Sequence, residues 1–228
     1  MRRTRTIMLH ALLMCIIVVS SQDSVEEILV EFKNLLSNAS ALDSWNKDVP
    51  ICSDSKYWIG LICVKAGFWG FKIDSMGLSG ALNVEPLTKL STLFMLSFEN
   101  NTFVGPFPSN INKIPNLFYL SLSNNKFSGE IPGDAFKGTN ISTLYLGNND
   151  FTGKIPKSLA GLSTLDDLQL QNNKFEGGIP DFKQKDLVAN FAYNKLEGPI
   201  PASLSDEPPS CFAGNNLCGK PLGKCPPP

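Results

Sequence analysis

Few residues in this sequence have the type and spacing that catalysis needs. The single histidine, His10, lies in a segment with the form of a secretory signal peptide, whose removal would leave no histidine in the mature chain. Ser-His-Asp and Cys-His catalysis and His-ligated metal sites would then be absent. Asp166 and Asp167 are adjacent on a predicted strand and would point to opposite faces, which argues against a carboxylate pair. We therefore predict that this chain is not an enzyme and binds no cofactor.

A glycine-rich stretch near the C-terminus is the remaining candidate for chemistry. Gly214 to Lys220 has the spacing of a phosphate-binding loop, but Pro221 stands where Ser or Thr is required. The charge does not indicate nucleic-acid binding either, because loss of the three N-terminal arginines from 20 basic and 21 acidic residues leaves a mildly acidic chain. We expect neither a nucleic acid nor a small-molecule substrate as a partner.

The N-terminus predicts entry into the secretory pathway. A basic start precedes an apolar run from Ile7 to Val19 and the small residues Ser20 and Ser21, so we predict a signal peptide over residues 1–21. The apolar run is too short for an ordinary membrane span, and a signal anchor is the alternative. Secretion makes three Asn-X-Ser/Thr sequons candidate glycosylation sites. These are Asn38, Asn100 and Asn140.

A repeated pattern occupies most of the remaining chain. Leu117 to Pro132 reads L-x-x-L-x-L-x-x-N-x-F-x-G-x-I-P, and the pattern recurs with a period of 24 residues. Such a period is typical of a leucine-rich-repeat solenoid. The leucine segment predicts a short strand, and strands stacked about 4.8 Å apart would form a parallel sheet over a shared core. Six repeats are predicted, with the first and last atypical: 68–82, 93–108, 117–132, 141–156, 165–180 and 186–201.

Two columns of equivalent residues from successive repeats are assigned to the scaffold. An asparagine follows each strand, where its amide can satisfy backbone groups of successive turns. A phenylalanine two residues later would stack on its equivalents. We expect replacement of Asn125 to destabilise the fold, and replacement of Asn124, one position earlier, to cost little. The columns are Asn101, Asn125, Asn149, Asn173 and Asn194, and Phe103, Phe127, Phe151 and Phe175.

The predicted fold class is α/β, with the repeats closed by a cap at each end. The ending G-x-I-P resembles the plant-specific class of leucine-rich repeats, which implies a right-handed, twisted solenoid with a second short strand in each repeat and parallel strands on its concave face. Residues 24–36 predict an amphipathic helix, capped by Asp23 or Ser24, inside an N-terminal cap over 22–67. The repeats occupy 68–204. A C-terminal cap and the start of a Pro-rich linker occupy 205–228.

Longer motifs resemble the extracellular part of the plant pollen receptor-like kinases. Similarity runs from about Ser24 to Cys225. It implies a pollen or pollen-tube surface receptor that senses extracellular peptides, including small cysteine-rich proteins, together with a co-receptor. Family members continue into a membrane helix and a kinase-like domain, which this sequence does not contain; a fragment, a truncated product and a soluble relative remain open. The motifs include GFWGFKIDSMGLSG (67–80), LSFENNTFVGPFP (96–108), SLSNNKFSGEIPGDAFKG (121–138), FEGGIPDF (175–182), NKLEGPIPASLS (194–205) and FAGNNLCGKPL (212–222).

The resemblance also implies how the cysteines pair. Cys52 and Cys63 match the N-terminal cap of such receptors, and Cys218 and Cys225 match the C-terminal cap. Cys211 stands where the family usually has Ser, so the mature chain has an odd number of cysteines and at least one thiol remains. We predict that Cys211 is free, with a Cys211–Cys218 bond as the main alternative.

The surface assigned to ligand binding is the strand face of repeats three to five. Positions between the leucines are free to vary, and tyrosines beside acidic and amide groups suit peptide recognition. The cap after Pro201 is the alternative surface. The candidate residues are Tyr119, Tyr145, Asp167, Gln169 and Gln171, and Lys72, Met95, Glu99 and Tyr193 are counted on the same face.

Two functions fit a secreted repeat protein of this kind. The first is the ligand-binding domain of a receptor on the extracellular face of the plasma membrane, or a secreted form of it. The alternative is a secreted inhibitor of a cell-wall-degrading enzyme, which would need no membrane segment. The motif matches favour the receptor.

Overall fold

The computed structural model describes residues 23–53, 58–65, 67–184 and 186–226. The predicted signal peptide lies outside these residues. In chain order the strands are β1 (Leu61–Val64), β2 (Gly67–Lys72), β3 (Ser79–Ala81), β4 (Met95–Ser97), β5 (Thr102–Gly105), β6 (Tyr119–Ser121), β7 (Lys126–Glu130), β8 (Thr143–Tyr145), β9 (Asp150–Lys154), β10 (Asp167–Gln169), β11 (Lys174–Gly177), β12 (Val188–Asn190), β13 (Lys195–Pro199) and β14 (Asn216–Cys218).

Each repeat contributes one strand to each of two sheets. One sheet has the order β1-β2-β4-β6-β8-β10-β12, and the other has the order β3-β5-β7-β9-β11-β13-β14. The repeats pair in parallel, as predicted, whereas β1 pairs antiparallel with β2. Leu96, Leu120, Leu144 and Leu168 stand in register and are fully buried, so the first sheet closes one side of the core. Its outer side is the concave face. The second sheet is built from the additional short strand that the G-x-I-P ending implied for each repeat.

The asparagine column ties each repeat to the one before it. Asn125 Nδ2 donates to Phe98 O at 2.9 Å in the preceding repeat and to Leu122 O at 3.1 Å in its own. Asn125 Oδ1 accepts from Phe103 N at 3.0 Å, again in the preceding repeat. One side chain therefore satisfies backbone groups of two successive turns, as predicted. The same pattern recurs at Asn149, Asn173 and Asn194.

The phenylalanine column forms a stacked spine inside the solenoid. The ring centroids of Phe103 and Phe127 are 6.1 Å apart, those of Phe127 and Phe151 are 6.0 Å apart, and those of Phe151 and Phe175 are 6.2 Å apart. All four side chains are fully buried. Near-parallel rings at this spacing combine apolar burial with aromatic contact along the axis.

The N-terminal cap covers the first repeat with a helix and two tryptophans. Helix α1 (Val25–Asn34) begins with a capping box in which Ser24 and Glu27 bond reciprocally, so Ser24 is the cap. Its buried face includes Phe32, which contacts Phe71 of the first repeat at a ring-centroid distance of 5.6 Å. The cap contains a disulfide between Cys52 and Cys63.

The other helical segments are single turns on the side opposite the concave sheet or in the caps. No helix among the described residues is long and apolar enough to cross a bilayer. These segments are Ala39–Leu42, Glu85–Lys89, Ser109–Lys113, α2 (Lys157–Ala160), Ala202–Leu204 and Pro209–Phe212.

The C-terminal cap continues the solenoid as a partial seventh repeat. Asn215 Nδ2 donates to Phe191 O at 2.9 Å, and Asn215 Oδ1 accepts from Leu196 N at 2.9 Å, so Asn215 extends the asparagine column. Phe212 stacks on Phe191 with ring centroids 6.0 Å apart. A disulfide joins Cys218 to Cys225, and among the described cysteines Cys211 has a free thiol. From the sequence, no member of the asparagine column was predicted beyond Asn194.

Two expectations about single positions need correction. Tyr193 is not a strand residue, because it follows β12 in a left-handed turn, with φ of 57°. Asn124 has the same conformation, with φ of 57°, which is strained for most side chains and tolerated by Asn. Replacing Asn124 by Ala should therefore carry a backbone cost that its position in the sequence did not reveal. Each repeat has one such residue: Ser75, Asn100, Asn124, Asn148, Asn172 and Tyr193.

Candidate functional site

Four of the five predicted ligand-surface residues form one connected cluster. The rings of Tyr119 and Tyr145 meet edge to face, with centroids 5.6 Å apart. Tyr145 Oη donates to Asp167 Oδ2 at 2.6 Å, and Gln169 Nε2 donates to Asp167 Oδ1 at 2.7 Å. Strands β6, β8 and β10 carry these side chains on three successive repeats, where Tyr119 is in register with Thr143 rather than with Tyr145, so the tyrosine contact runs diagonally between strands. The structure brings them together as a preordered surface rather than as separate residues.

Gln171 lies beside this cluster in a hollow left by a glycine. A Cβ atom at Gly147 would be 2.8 Å from the amide carbon of Gln171, so the Gln171 side chain occupies space that a side chain at residue 147 would contest. Gln171 Oε1 is buried and has no hydrogen-bond partner among the described residues. A buried carbonyl oxygen without a hydrogen-bond partner costs folding free energy. If the amide turns outward, this oxygen can accept a hydrogen bond from a ligand.

The tyrosines of the cluster keep their protons. Donation to Asp167, reinforced by burial, raises the pKa of Tyr145 well above its ordinary value. Burial, followed by the carboxylate of Glu99, raises the pKa of Tyr119. Both phenols therefore remain neutral hydrogen-bond donors at physiological pH, which suits recognition and argues against a role as a base.

The concave face of repeats 1–3 has a different character. Trp69, Phe94 and Phe118 are equivalent residues of successive repeats. Each directly precedes the first residue that pairs with the neighbouring strand of the concave sheet, and Met95 lies next to Phe94. Phe118 is 45% exposed, whereas Trp69, Phe94 and Met95 are partly buried. Met95 was predicted on this face from the sequence, whereas the aromatic residues were not.

A cavity opens at the other edge of the same repeats, beside two carboxylates. Asp74 is satisfied, because it accepts from Ser97 Oγ at 2.7 Å and pairs with Lys72 at 3.4 Å. Glu99 accepts only a side-chain bond from Asn124 Nδ2, at 3.2 Å, and pairs with no lysine or arginine of the described chain. The cavity is lined by Lys72, Asp74, Ser75, Glu99, Asn100 and Asn124.

The predicted glycosylation sites are all exposed. Asn38 Nδ2 donates to Gly77 O at 2.7 Å, and Asn100 Nδ2 donates to Ser75 Oγ at 2.8 Å, so each retains one amide hydrogen beyond that bond. Asn140 lies two residues before Ser142, at the start of the fourth repeat. Exposure meets the steric requirement for glycosylation, which stays a prediction.

Catalytic groups do not converge in the described part of the chain. Ser142 Oγ donates to Asp166 Oδ2 at 2.9 Å, whereas Asp167 is engaged by Tyr145, so the two aspartates have separate partners. The described residues contain no group of three His, Cys, Asp or Glu side chains placed to hold a metal. Burial, followed by nearby Glu207, raises the pKa of the Cys211 thiol, which disfavours the reactive thiolate.

Comparisons with known proteins match both the sequence and the fold. A leucine-rich-repeat family model matches residues 116–137 and 140–162. Over 202 residues the chain is 45% identical to pollen receptor-like kinase 4 of Arabidopsis thaliana, a match that covers 87% of this chain and 30% of that protein. The chain thus spans about 30% of the length of the curated relatives it matches.

Two solved structures extend the comparison. The crystal structure of a pollen receptor kinase 3 is 39% identical, with a TM-score of 0.77 and coverage of 85% of this chain and 96% of that one. The leucine-rich-repeat ectodomain of the Arabidopsis thaliana receptor kinase GASSHO1/SCHENGEN3, in complex with CASPARIAN STRIP INTEGRITY FACTOR 2, is 34% identical, with a TM-score of 0.60 and coverage of 65% and 18%.

Proposed function

Because the chain belongs to the pollen receptor-like kinase family of leucine-rich-repeat proteins, we propose that it is the peptide-sensing extracellular domain of such a receptor. The observation that carries the proposal is the connected cluster of Tyr119, Tyr145, Asp167 and Gln169 on the concave face. Side chains already held in one arrangement lose little conformational entropy when a ligand binds. A solved relative in complex with a separate factor supports ligand binding by this architecture.

The chemistry of the cluster fits a peptide better than a small molecule. The tyrosine rings offer apolar contact area with few rotatable bonds, and the Gln171 amide can exchange hydrogen bonds with a peptide backbone. Both oxygens of Asp167 are already engaged by Tyr145 and Gln169, so Asp167 orients the cluster rather than binding a ligand cation. A peptide, free or as part of a small cysteine-rich protein, is the proposed ligand, with a co-receptor as a further partner.

The relatives are receptor kinases, which supports a location in the secretory pathway or outside the cell. We propose that it faces the exterior at the plasma membrane and signals in pollen tube growth or guidance when joined to membrane and kinase segments. The proposed domain boundaries of 22–67, 68–204 and 205–228 would then separate the two caps from the repeats. This part of the receptor would bind and not catalyse. Inhibition of a cell-wall-degrading enzyme is not favoured, because the relatives are receptor kinases.

Peptide selection on the secreted protein tests the proposal. A phage-displayed library of random dodecapeptides should yield binders, and synthetic copies of these should bind the purified protein. A double variant, Tyr145→Ala with Asp167→Lys, should weaken that binding at least tenfold, since it removes one ring and reverses the charge that orients Tyr145 and Gln169.

Tyr193→Asn is the matched control, because it removes an exposed tyrosine outside the cluster and suits the left-handed backbone. The control should bind like the original protein, and the melting temperature of each variant should be checked. Failure to select any peptide would contradict the proposal. Binding that survives the double variant but is lost on changes between Asp206 and Lys220 would place the site in the C-terminal cap.

A further inference from the structure

The edge of the concave sheet in repeats 1–3 carries one exposed and two partly buried aromatic residues that the tyrosine cluster does not use. Trp69, Phe94 and Phe118, here called the aromatic stripe, run along the edge where the chain enters the concave sheet. In repeats 4 and 5 the equivalent residues are Ser142 and Asp166, so the stripe ends after the third repeat. An apolar stripe confined to half of one face is not a requirement of the scaffold, because the later repeats form the same strands without it.

The aromatic stripe adjoins the proposed site directly. Phe118 precedes Tyr119, and the ring of Tyr119 contacts Tyr145 in the cluster. The stripe at the edge of the concave sheet and the cluster on its face therefore follow one another along the solenoid from repeat 1 to repeat 5 and meet at the third repeat. At about 4.8 Å per repeat this surface is about 19 Å long, which matches roughly six residues of an extended peptide.

The arrangement of the aromatic rings in the stripe indicates which class of ligand can bind there. Trp69 and Phe94 stack with centroids 5.8 Å apart and planes 17° apart, so one face of each ring is turned toward the other ring. Sugar rings bind to exposed aromatic faces, which this pair does not offer together. Aliphatic or aromatic side chains of a peptide can pack against ring edges, because edge contacts are favourable for apolar and π partners alike.

Across the strands from the stripe, Glu99 supplies a charge without a counterpart. It is half-buried beside the cavity described above, and no cation of the described chain pairs with it, whereas neighbouring Asp74 is paired with Lys72. Glu99 follows Phe94 by five positions, or about 16 Å along an extended chain. An extended peptide that runs across the concave strands, between the aromatic stripe and Glu99, would direct successive side chains alternately toward the stripe and toward Glu99.

We propose that this apolar half is the second part of the ligand site, and that it binds an extended segment in which an apolar side chain packs on the aromatic stripe and the next side chain, a lysine or arginine, pairs with Glu99. The proposal rests on the proposed peptide-sensing function and adds to it the chemistry and length of the ligand. The partial burial of Glu99 makes a pair there stronger than one on open surface, because solvent screens it less.

The test uses the same dodecapeptide library on three proteins: the original, Glu99→Gln and Phe118→Ser. Glu99→Gln keeps the shape and the bond from Asn124 while removing the charge. Phe118→Ser copies the residue that repeat 4 has at this position. Peptides selected by the original protein should be enriched in an apolar residue next to lysine or arginine. Glu99→Gln should lose the enrichment in basic residues, and Phe118→Ser should lose the adjacent apolar residue, each with at least tenfold weaker binding of the originally selected peptides.

Two controls make the result specific. Val188→Ser removes another exposed apolar side chain of the concave sheet, 55% exposed and outside the stripe, and should leave binding unchanged. Asn100→Gly removes a sequon beside Glu99 and suits its left-handed backbone, so it separates an effect of a glycan from one of charge. Binding by the Asn100→Gly protein should keep the same dependence on Glu99.

The outcomes separate this inference from the proposed function. Selected peptides that depend on Tyr145 and Asp167 but carry no basic residue, or bind Glu99→Gln equally well, would overturn the inference and leave the proposed function standing. If the library yields no binders, both are contradicted. Peptides that depend on Tyr145, Glu99 and Phe118 together support one continuous site.

Discussion

The interior columns and the concave face of this solenoid follow opposite rules. Inside, asparagine and phenylalanine recur at the same position in successive repeats, and each makes the same contacts. On the concave face the same backbone register carries Met95, Tyr119, Thr143 and Asp167 in successive repeats. Repetition therefore belongs to residues that contact the next repeat, and variation belongs to residues that face solvent. Stability should depend on the first set and ligand choice on the second.

The strongest test of this division is the phenylalanine column. Phe127→Ala should lower the free energy of unfolding by about 3–5 kcal/mol, because it leaves a cavity between the rings of Phe103 and Phe151. Phe127→Leu should cost only about 1 kcal/mol, since it retains most of the apolar volume. Urea unfolding with the disulfides intact measures both. Equal losses for the two variants would mean that the stacked column does not hold the repeats together.

The asparagine column should give the next largest effect. Asn125→Ala should cost about 1–3 kcal/mol, because Phe98 O and Phe103 N lose a partner in the partly buried turn. The loss of stability is again measured from the midpoint of urea unfolding. Ligand binding by the folded variant should be unchanged, and a selective loss of binding without a loss of stability would break the division between the two regions.

The neighbouring position sharpens the comparison, because it is also asparagine but exposed. Asn124→Ala should cost about 1 kcal/mol through strain in its left-handed backbone. Asn124→Gly should be the more stable of the two variants, since glycine adopts that conformation freely. If the alanine variant proved as stable as the glycine variant, backbone strain would not be what asparagine relieves here.

The smallest expected effect concerns the concave face. Tyr145→Phe removes one partly exposed hydrogen bond to Asp167 and should cost about 0.5–1 kcal/mol. The pKa of Tyr145 is raised in the folded state, so this contribution is fully present below the unfolded value near 10 and declines as the pH rises through the folded value. The stability difference between the two proteins should therefore stay constant from about pH 6 to 9 and shrink in stronger alkali. A difference that disappears below pH 9 would contradict the bond.

Residues that repeat could be predicted from the sequence, and those that occur once could not. The period of 24 residues placed the parallel strands and the asparagine and phenylalanine columns, because register in a solenoid follows from spacing. Asn215 was missed because the C-terminal cap lacks the leucine segment, although an asparagine three residues after Phe212 repeats the spacing of Asn194 and Phe191. A Phe-x-x-Asn search would have found it.

The candidate site was predicted in outline only. Alternation along the strands indicated which side chains share the concave face, but not that Tyr145 and Gln169 converge on Asp167. Such contacts depend on rotamers and on which residues flank each other across repeats. Tyr193 was counted as a strand position because a left-handed turn at a tyrosine is uncommon and carries no local sequence signal.

The direction of the asparagine contacts has a consequence for synthesis. Each asparagine bonds to the backbone of the repeat before it, so a repeat is completed only when the following one, 24 residues later in most of the chain, has arrived. As the chain emerges from the ribosome from its N-terminus, the last emerged repeat always lacks its partner. Order would then advance along the nascent chain one repeat behind its growing end, and Asn215 would complete the final full repeat.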